Sequence, residues 1–400
     1  MSKYANLEHD YAKEGSAYCK AQLYPLAIQA LNKAIELAPD DEELYNELGL
    51  AYFHQNEIYE AKQAFEKALE CGGNSYKSYN NLAWIYHYND ENDKALDYFN
   101  EALKLAPLNF DIILNCGDFY FSLQKFDEAL DYFLRCISFD DNNGEIYYKI
   151  ARCYIEKNFY TDAIMYLDKA ISCDKDCSEY YRELSRVYYK RNEMEKAQIY
   201  FEKLIELEPD NEWAYSNLGN IYFYHLGNFD VAYQYYNKAY ELNSAYCWAA
   251  YNLANMKMIY KSFDEAIDLY SQACSLAPMN PLFFNALGNA YLKTKEIEKS
   301  IECWENSILI DENNEDANLS LAEIYLNEKK DYEKARSYFE KVKTLNPNNS
   351  MAYYGLAKIS FFDFDKKNAI INIDIAIELE SDNDKFKAFR NRIDEELKYE

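Results

Sequence analysis

A small residue recurs in this chain every 34 residues along almost its whole length. Counted from Glu8 as position 1, the eighth position of eleven successive units reads Gly15, Gly49, Ala83, Gly117, Ala151, Ser185, Gly219, Ala254, Gly288, Ala322 and Ala357. The twentieth reads Ala27, Ala61, Ala95, Ala129, Ala163, Ala197, Ala232, Ala266, Ser300, Ala335 and Ala369, once one extra residue is allowed in each of the seventh and tenth units. Bulky side chains keep the same frame. Position 11 is tyrosine except at Lys257 and Ser360, and position 24 holds Leu31, Phe65, Phe99, Phe133, Leu167, Phe201, Tyr236, Tyr270, Trp304, Phe339 and Ile373. A repeat of this length is one supersecondary unit that buries its apolar face only by stacking on copies of itself. Small residues at two columns let two antiparallel helix axes approach, and large ones fill the space between them. Proline at position 32 of five units (Pro39, Pro107, Pro209, Pro278 and Pro347) ends the second helix, because it brings no N–H to the next turn.

Composition points the same way. Ten Gly and seven Pro among 400 residues are too few for the turns of a sandwich, a barrel or a doubly wound sheet, and 49% apolar residues demand a core, so an all-α chain is expected. The formal charge of −27 argues against nucleic acid and anionic membranes as partners. The ten cysteines are scattered singly, with Cys173 and Cys177 the nearest pair, and are read as reduced thiols of a cytoplasmic protein. No run of eighteen apolar residues occurs and the opening residues carry no apolar signal segment, so no direct membrane insertion is expected.

The columns resemble the tetratricopeptide repeat. Eleven units carry the pattern: 8–41, 42–75, 76–109, 110–143, 144–177, 178–211, 212–246, 247–280, 281–314, 315–349 and 350–383. The resemblance implies an all-α, right-handed superhelical solenoid of helix-turn-helix repeats, with the first helices lining a concave groove. The pentatricopeptide repeat, an RNA reader with a period of 35, fits less well to an acidic chain that keeps 34. Residues 1–7 form a short lead-in, and Glu14, where interior units place leucine, suits an exposed first face. Residues 384–400 read as a capping helix: Phe386, Phe389, Ile393 and Leu397 face the last repeat, while Lys385, Arg390, Asp394, Glu395 and Glu396 meet water.

In that architecture positions 2, 5, 6, 9, 12 and 13 line the groove. They carry equal numbers of acids and bases, which leaves the net charge on the other surfaces. Repeats seven to nine stand out because every one of their groove positions except Lys293 is uncharged. Trp213, Phe223, Tyr224, Trp248 and Tyr251 alternate there with Asn217, Asn220, Asn252, Asn255, Asn285 and Asn289. An asparagine amide offers a donor and an acceptor together, as a peptide bond does, and the aromatic rings supply contact area. The arrangement is similar to the asparagine ladder in the tetratricopeptide arm of O-linked N-acetylglucosamine transferase, with position 6 occupied by Asn81, Asn115, Asn217 and Asn252 and interrupted elsewhere. A competing reading packs Trp213 and Trp248 against neighbouring helices. Removing Asn217, Asn220, Asn252 and Asn255 together is expected to leave helicity and melting temperature nearly intact.

Arg152, Arg182, Arg186 and Lys190 gather in repeats five and six, either as a seat for an acidic group or paired with nearby glutamates. The carboxylate clamp that binds chaperone tails is not matched by any three consecutive units. His9, His54, His87 and His225 have no partners of triad or ligand type, and no phosphate-cradling glycine loop occurs, so neither catalysis nor a cofactor nor a metal is expected. The chain reads as a scaffold that binds a protein or an extended peptide. Alternatives are a substrate-recruiting subunit of an enzyme complex whose catalytic chain is separate, and a self-assembling homodimer or larger complex.

Overall fold

The computed structural model describes residues 3–72 and 75–398, with side chains from Leu7 to Glu396 apart from residues 73 and 74. Gly73, which with Gly72 replaces the usual proline turn of repeat two, and the Leu397 side chain lie outside the described residues. Among the described residues every regular element is a helix, and the helices come in pairs on the frame of the repeat. Repeat two, for example, consists of Glu42–His54 followed by Ile58–Gly72. The first helix starts at Lys3, so the described part of the lead-in is helical rather than a separate segment. Two compact units divide the chain, Met1–Asn192 and Glu193–Glu400, with the break between the first helix (Ser178–Lys190) and second helix (Met194–Leu207) of repeat six.

Within each unit the same contact joins the two helices of a repeat. A methyl group added to Gly49, Gly117, Gly219 or Gly288 would lie 2.5 to 2.6 Å from the ring of Phe65, Phe133, Tyr236 or Trp304, the position 24 residue of the same repeat. These rings rest on bare backbone, and the position 20 residues of the same repeats, Ala61, Ala129, Ala232 and Ser300, are fully buried. A second aromatic layer was not apparent in the sequence columns. The position 11 tyrosine stacks on a tyrosine at position 23, as in Tyr120–Tyr132 (5.5 Å), Tyr154–Tyr166 (5.6 Å), Tyr222–Tyr235 (5.3 Å) and Tyr325–Tyr338 (5.9 Å).

The turn inside each repeat depends on one left-handed residue. Gln22, Asn56, Asp90, Gln124, Asn158, Asn192, Gly227, Lys261, Lys295, Lys330 and Phe364 have φ between 55° and 66°. Such a residue reverses the chain so that the N–H of the residue after it reaches back to the position 11 carbonyl, as Glu57 does to Tyr52 (3.0 Å) and Glu296 to Tyr291 (2.9 Å). The extra residues of repeats seven and ten are absorbed just before this turn. Ile221–His225 and Tyr325–Lys329 each form one turn of π-helix, and the closing bonds, Asn228→Tyr222 (2.9 Å) and Asp331→Tyr325 (3.0 Å), span one residue more than in the other repeats. The frame downstream of each insertion is thereby restored.

Much of the asparagine has a structural role at helix starts. Asn109, Asn143, Asn211, Asn314 and Asn349, each the last residue of a repeat, accept the N–H three residues on and so begin the next repeat's first helix. At the far end Asp384–Lys398 caps repeat eleven, burying Phe386, Phe389 and Ile393. Arg390 does not simply meet water. It donates to Asp374 of the preceding helix (2.7 Å) and pairs with Asp394, tying the cap down.

Phe364 carries the left-handed turn of repeat eleven while 85% exposed, so its ring contributes little packing and its Cβ is strained. Phe364→Gly is expected to stabilise the chain by about 1 kcal/mol. A urea midpoint that stays level or falls would refute the strain.

Candidate functional site

The first helices of repeats seven (Glu212–Asn220), eight (Cys247–Ile259) and nine (Pro281–Lys293) enclose a cleft of about 510 Å³. Trp213, Ser216, Asn217, Asn220, Tyr224, Tyr246, Trp248, Tyr251, Asn252 and Leu282 line it, and none of them carries a charge. All but Tyr246 stand at the groove positions of the repeat. Tyr246 is the residue before repeat eight's first helix, where most repeats have a capping side chain, and the columns gave no reason to place it in the cleft.

The rings are braced rather than loose. Trp248 meets Phe283 edge to face at 5.0 Å and Tyr251 at 5.8 Å, yet remains 39% exposed. Trp213 packs on Phe201 at 5.3 Å. Tyr224 is 63% exposed and rises from the π-helical turn, where Phe223 packs on it and on Phe229. Packing on neighbours and exposure to the cleft therefore coexist in the same rings. Burial raises the Tyr251 phenol above its ordinary range, which keeps it a neutral hydrogen-bonding group.

The asparagines divide into different environments. Asn252 is only 6% exposed, and its amide donates to Ser216 Oγ (3.1 Å) and Asn220 Oδ1 (3.4 Å) in the neighbouring repeat. Asn217 donates to the Trp213 carbonyl one turn back (2.8 Å). Asn220 and Asn255 accept from the hydroxyls of Tyr236 and Tyr270. Asn289 is exposed, and Asn285, 7% exposed, has no donor for its Oδ1 among the described residues. The expectation that the whole set is separable from the fold is corrected at Asn252, which is a buried link between repeats.

A second cleft, of about 330 Å³, lies on repeats two to four. Here the amides bond to one another: Asn46 exchanges hydrogen bonds with Ser78 (3.0 and 3.2 Å), Asn81 donates to Asn46 (3.4 Å) and Asn115 donates to Asn80 (3.0 Å). Position 6 alone did not reveal this network, because Asn46 and Asn80 stand at position 5. The signal was present as Asn46, Asn80, Asn81 and Asn115 in three consecutive repeats.

The basic residues of repeats five and six do not form one open anion seat. Both Nε (2.9 Å) and a terminal nitrogen (2.6 Å) of Arg186 engage Glu183, the local pairing that was the alternative expectation. Arg152 lies over the rings of Phe121 (4.6 Å) and Tyr148 (5.9 Å), while Lys149 pairs with Asp118 at 2.7 Å. Arg182 is half-buried on the helix that carries Arg186, and Lys190 is exposed at its end.

His54 and His87 take packing and hydrogen-bonding roles. His54 stacks on Tyr24 at 5.0 Å, and His87 bonds Asn92 (2.7 Å) and Ser122 (2.9 Å). All ten cysteines are unpaired, and burial pushes the thiols of Cys116, Cys153, Cys274 and Cys303 up to about 12. Such thiols stay protonated and unreactive near neutrality. Among the described residues no cluster of acids, histidines and cysteines is placed to hold a metal, and no helix is long and apolar enough to cross a membrane.

Two substitutions test this account of the amides. Asn252→Ala is expected to cost about 1–2 kcal/mol by stranding its partners, read as a lowered urea midpoint. In the position equivalent to Ser78, which satisfies Asn46, repeat ten has the fully buried Ala317, and Asn285 stands at the position of Asn46. Ala317→Ser is expected to supply the missing donor and stabilise by about 1 kcal/mol, whereas a loss of stability would show that the Asn285 oxygen faces elsewhere.

Comparison with known proteins agrees with the repeat geometry. Models described as TPR repeat match residues 15–56 and 261–295, and models described as tetratricopeptide repeat match 40–107, 80–144, 144–177, 178–211, 200–233, 283–314 and 315–349. TPR repeat-containing protein MJ1428 of Methanocaldococcus jannaschii is 27% identical over 154 residues, covering 38% of this chain and 24% of that protein. The heat-shock protein cognate co-chaperone sgt12 of Aspergillus fumigatus is 39% identical over 57 residues, 14% of this chain and 17% of its own. The chain thus spans about a quarter or less of the length of these two relatives. Among solved structures, that of Pseudomonas aeruginosa pilF aligns with a TM-score of 0.50 and 20% identity, over 55% of this chain and 98% of that one, a likeness of fold. With helix pairs on one frame and models matching from residue 15 to 233 and from 261 to 349, the chain belongs to the tetratricopeptide repeat family.

Proposed function

We propose that this protein is a non-catalytic interaction scaffold that holds an extended peptide segment of a partner protein in the cleft of repeats seven to nine. The observation that carries the reading is the cleft itself: about 510 Å³, lined by two tryptophans, three tyrosines, three asparagines, a serine and a leucine. A helix surface facing water ordinarily carries charge, and an uncharged aromatic surface of this size loses free energy until something covers it. Tryptophan and tyrosine are enriched among the few residues that dominate binding energy, and amides satisfy a peptide backbone without demanding a particular sequence. Membership of a repeat family whose relative in Aspergillus fumigatus is named a co-chaperone supports an interaction role over a catalytic one. We place that role in the cytoplasm, where ten unpaired thiols are kept reduced.

The test is a random twelve-residue peptide library selected on the full chain, followed by fluorescence anisotropy with the best binder. Tyr224→Ala and Trp248→Ala, both at exposed rings, are expected to weaken that binder by more than about tenfold with an unchanged circular dichroism spectrum. Equal affinity of both variants and the parent chain would remove the cleft as the binding site.

A further inference from the structure

Repeats seven, eight and nine share a coincidence that the rest of the chain lacks. They are the repeats with asparagine at position 9 (Asn220, Asn255 and Asn289), and they are also the repeats whose position 24 ring carries a hydrogen-bond donor (Tyr236, Tyr270 and Trp304). In the other repeats position 24 is leucine, phenylalanine or isoleucine, and position 9 is never asparagine. We infer that Tyr236 and Tyr270 are positioning residues that fix which face of the Asn220 and Asn255 amides meets a bound peptide, and that Trp304 does the same for Asn289 once the groove is filled. The inference rests on the peptide reading of this cleft.

The geometry in repeats seven and eight is direct. Tyr236 Oη donates to Asn220 Oδ1 at 2.8 Å, and the same oxygen receives Asn252 Nδ2 at 3.4 Å. Tyr270 Oη donates to Asn255 Oδ1. Both tyrosines are buried core residues, so each amide oxygen is drawn toward the protein interior. An amide held by its oxygen has its NH₂ group turned the other way, and these two asparagines become donors, the Asn255 NH₂ also reaching the Tyr251 hydroxyl of the cleft. Asn217 is held in the opposite sense. Its Nδ2 is spent on the Trp213 carbonyl, which leaves its oxygen as an acceptor. Position 6 of repeat seven therefore accepts while position 9 of repeats seven and eight donates. An extended backbone has one N–H and one C=O per residue and matches that pattern. Without the phenols these amides would be held less firmly, Asn220 keeping only the longer bond from Asn252, and each contact would cost more rotamer freedom at the moment of binding.

Repeat nine has the same parts in an unmade state. A methyl group on Gly288 would come within 2.6 Å of Trp304 Nε1, just as one on Gly219 would come within 2.5 Å of the Tyr236 ring edge, so the indole N–H occupies the place of the tyrosine edge. Trp304 is 1% exposed and its Nε1 has no hydrogen-bond partner among the described residues. Asn289, the residue after Gly288, is exposed. A buried donor without an acceptor is unfavourable, and one rotation of Asn289 that brings its oxygen to the indole would satisfy it. That rotation also points the Asn289 NH₂ to the groove, adding a third donor in register with the other two.

The experiment uses the full chain and the peptide selected above. The double variant Tyr236→Phe, Tyr270→Phe keeps both rings in the core and is expected to bind the peptide about five- to tenfold more weakly, with the conservative control Tyr120→Phe unchanged. Unchanged affinity in the double variant, alongside a loss in Asn220→Ala, would overturn the positioning role and leave the peptide reading standing. Unchanged affinity in Asn220→Ala as well would overturn both. A measurement that needs no core substitution reports on repeat nine: the ¹⁵N–¹H indole resonance of Trp304 is expected to move downfield when the peptide saturates the chain and to stay in place in Asn289→Ala. An indole resonance that does not move on saturation of the parent chain overturns the third donor.

Discussion

The close approach of two helices at position 8 is the constraint on which the rest depends. A ring at position 24 can lie on bare backbone only where the facing residue is glycine or nearly so, and the contacts of Phe65, Phe133, Tyr236 and Trp304 with their glycines lie within 2.6 Å of where a methyl would sit. That contact fixes the spacing of the helix pair, and the spacing fixes where the groove positions point. Choosing tyrosine or tryptophan at position 24 alters little in packing. It does place a hydrogen-bond donor next to position 9, at the floor of the groove. A core residue thereby sets the orientation of a groove amide through a single hydrogen bond.

The two insertions show how strongly the frame is held. An added residue in a helix would rotate everything after it by about 100°, turning the small column away from its partner. Instead each is taken up by one π-helical turn at Ile221–His225 and Tyr325–Lys329, immediately before the left-handed turn. A π-turn costs hydrogen-bond quality over a few residues, whereas a lost register would expose a repeat's core. In repeat seven the outcome is also local to the cleft, since Tyr224 stands on the widened turn and lines it.

Much of this protein was legible in its sequence, and the reason is periodicity. Eleven copies of one pattern average out local noise, so the column of Ala27, Ala61 and their equivalents shows burial as plainly as a structure does. The charge-free window of repeats seven to nine was visible for the same reason. The amide orientations were not visible, because an asparagine letter does not say which of its two atoms is spoken for. Asn252 and Asn217 look alike in their column, yet one is a buried link to Ser216 and the other is bonded along its own helix. Nor did the columns separate capping asparagines such as Asn109 and Asn314 from those in the groove, although both serve the same donor and acceptor chemistry.

The sequence by itself determined the helix pairs, their number, the small and large faces that hold them together and the neutrality of one stretch of groove. These follow from local propensity and from spacing, which are properties of position along the chain. Tertiary structure alone decided the partners of individual polar groups: Arg186 closed on Glu183, Asn285 Oδ1 left without a donor among the described residues, Asn220 held by Tyr236 from sixteen residues away. A hydrogen bond depends on tenths of an ångström and on direction, and those are set only when neighbouring repeats have packed.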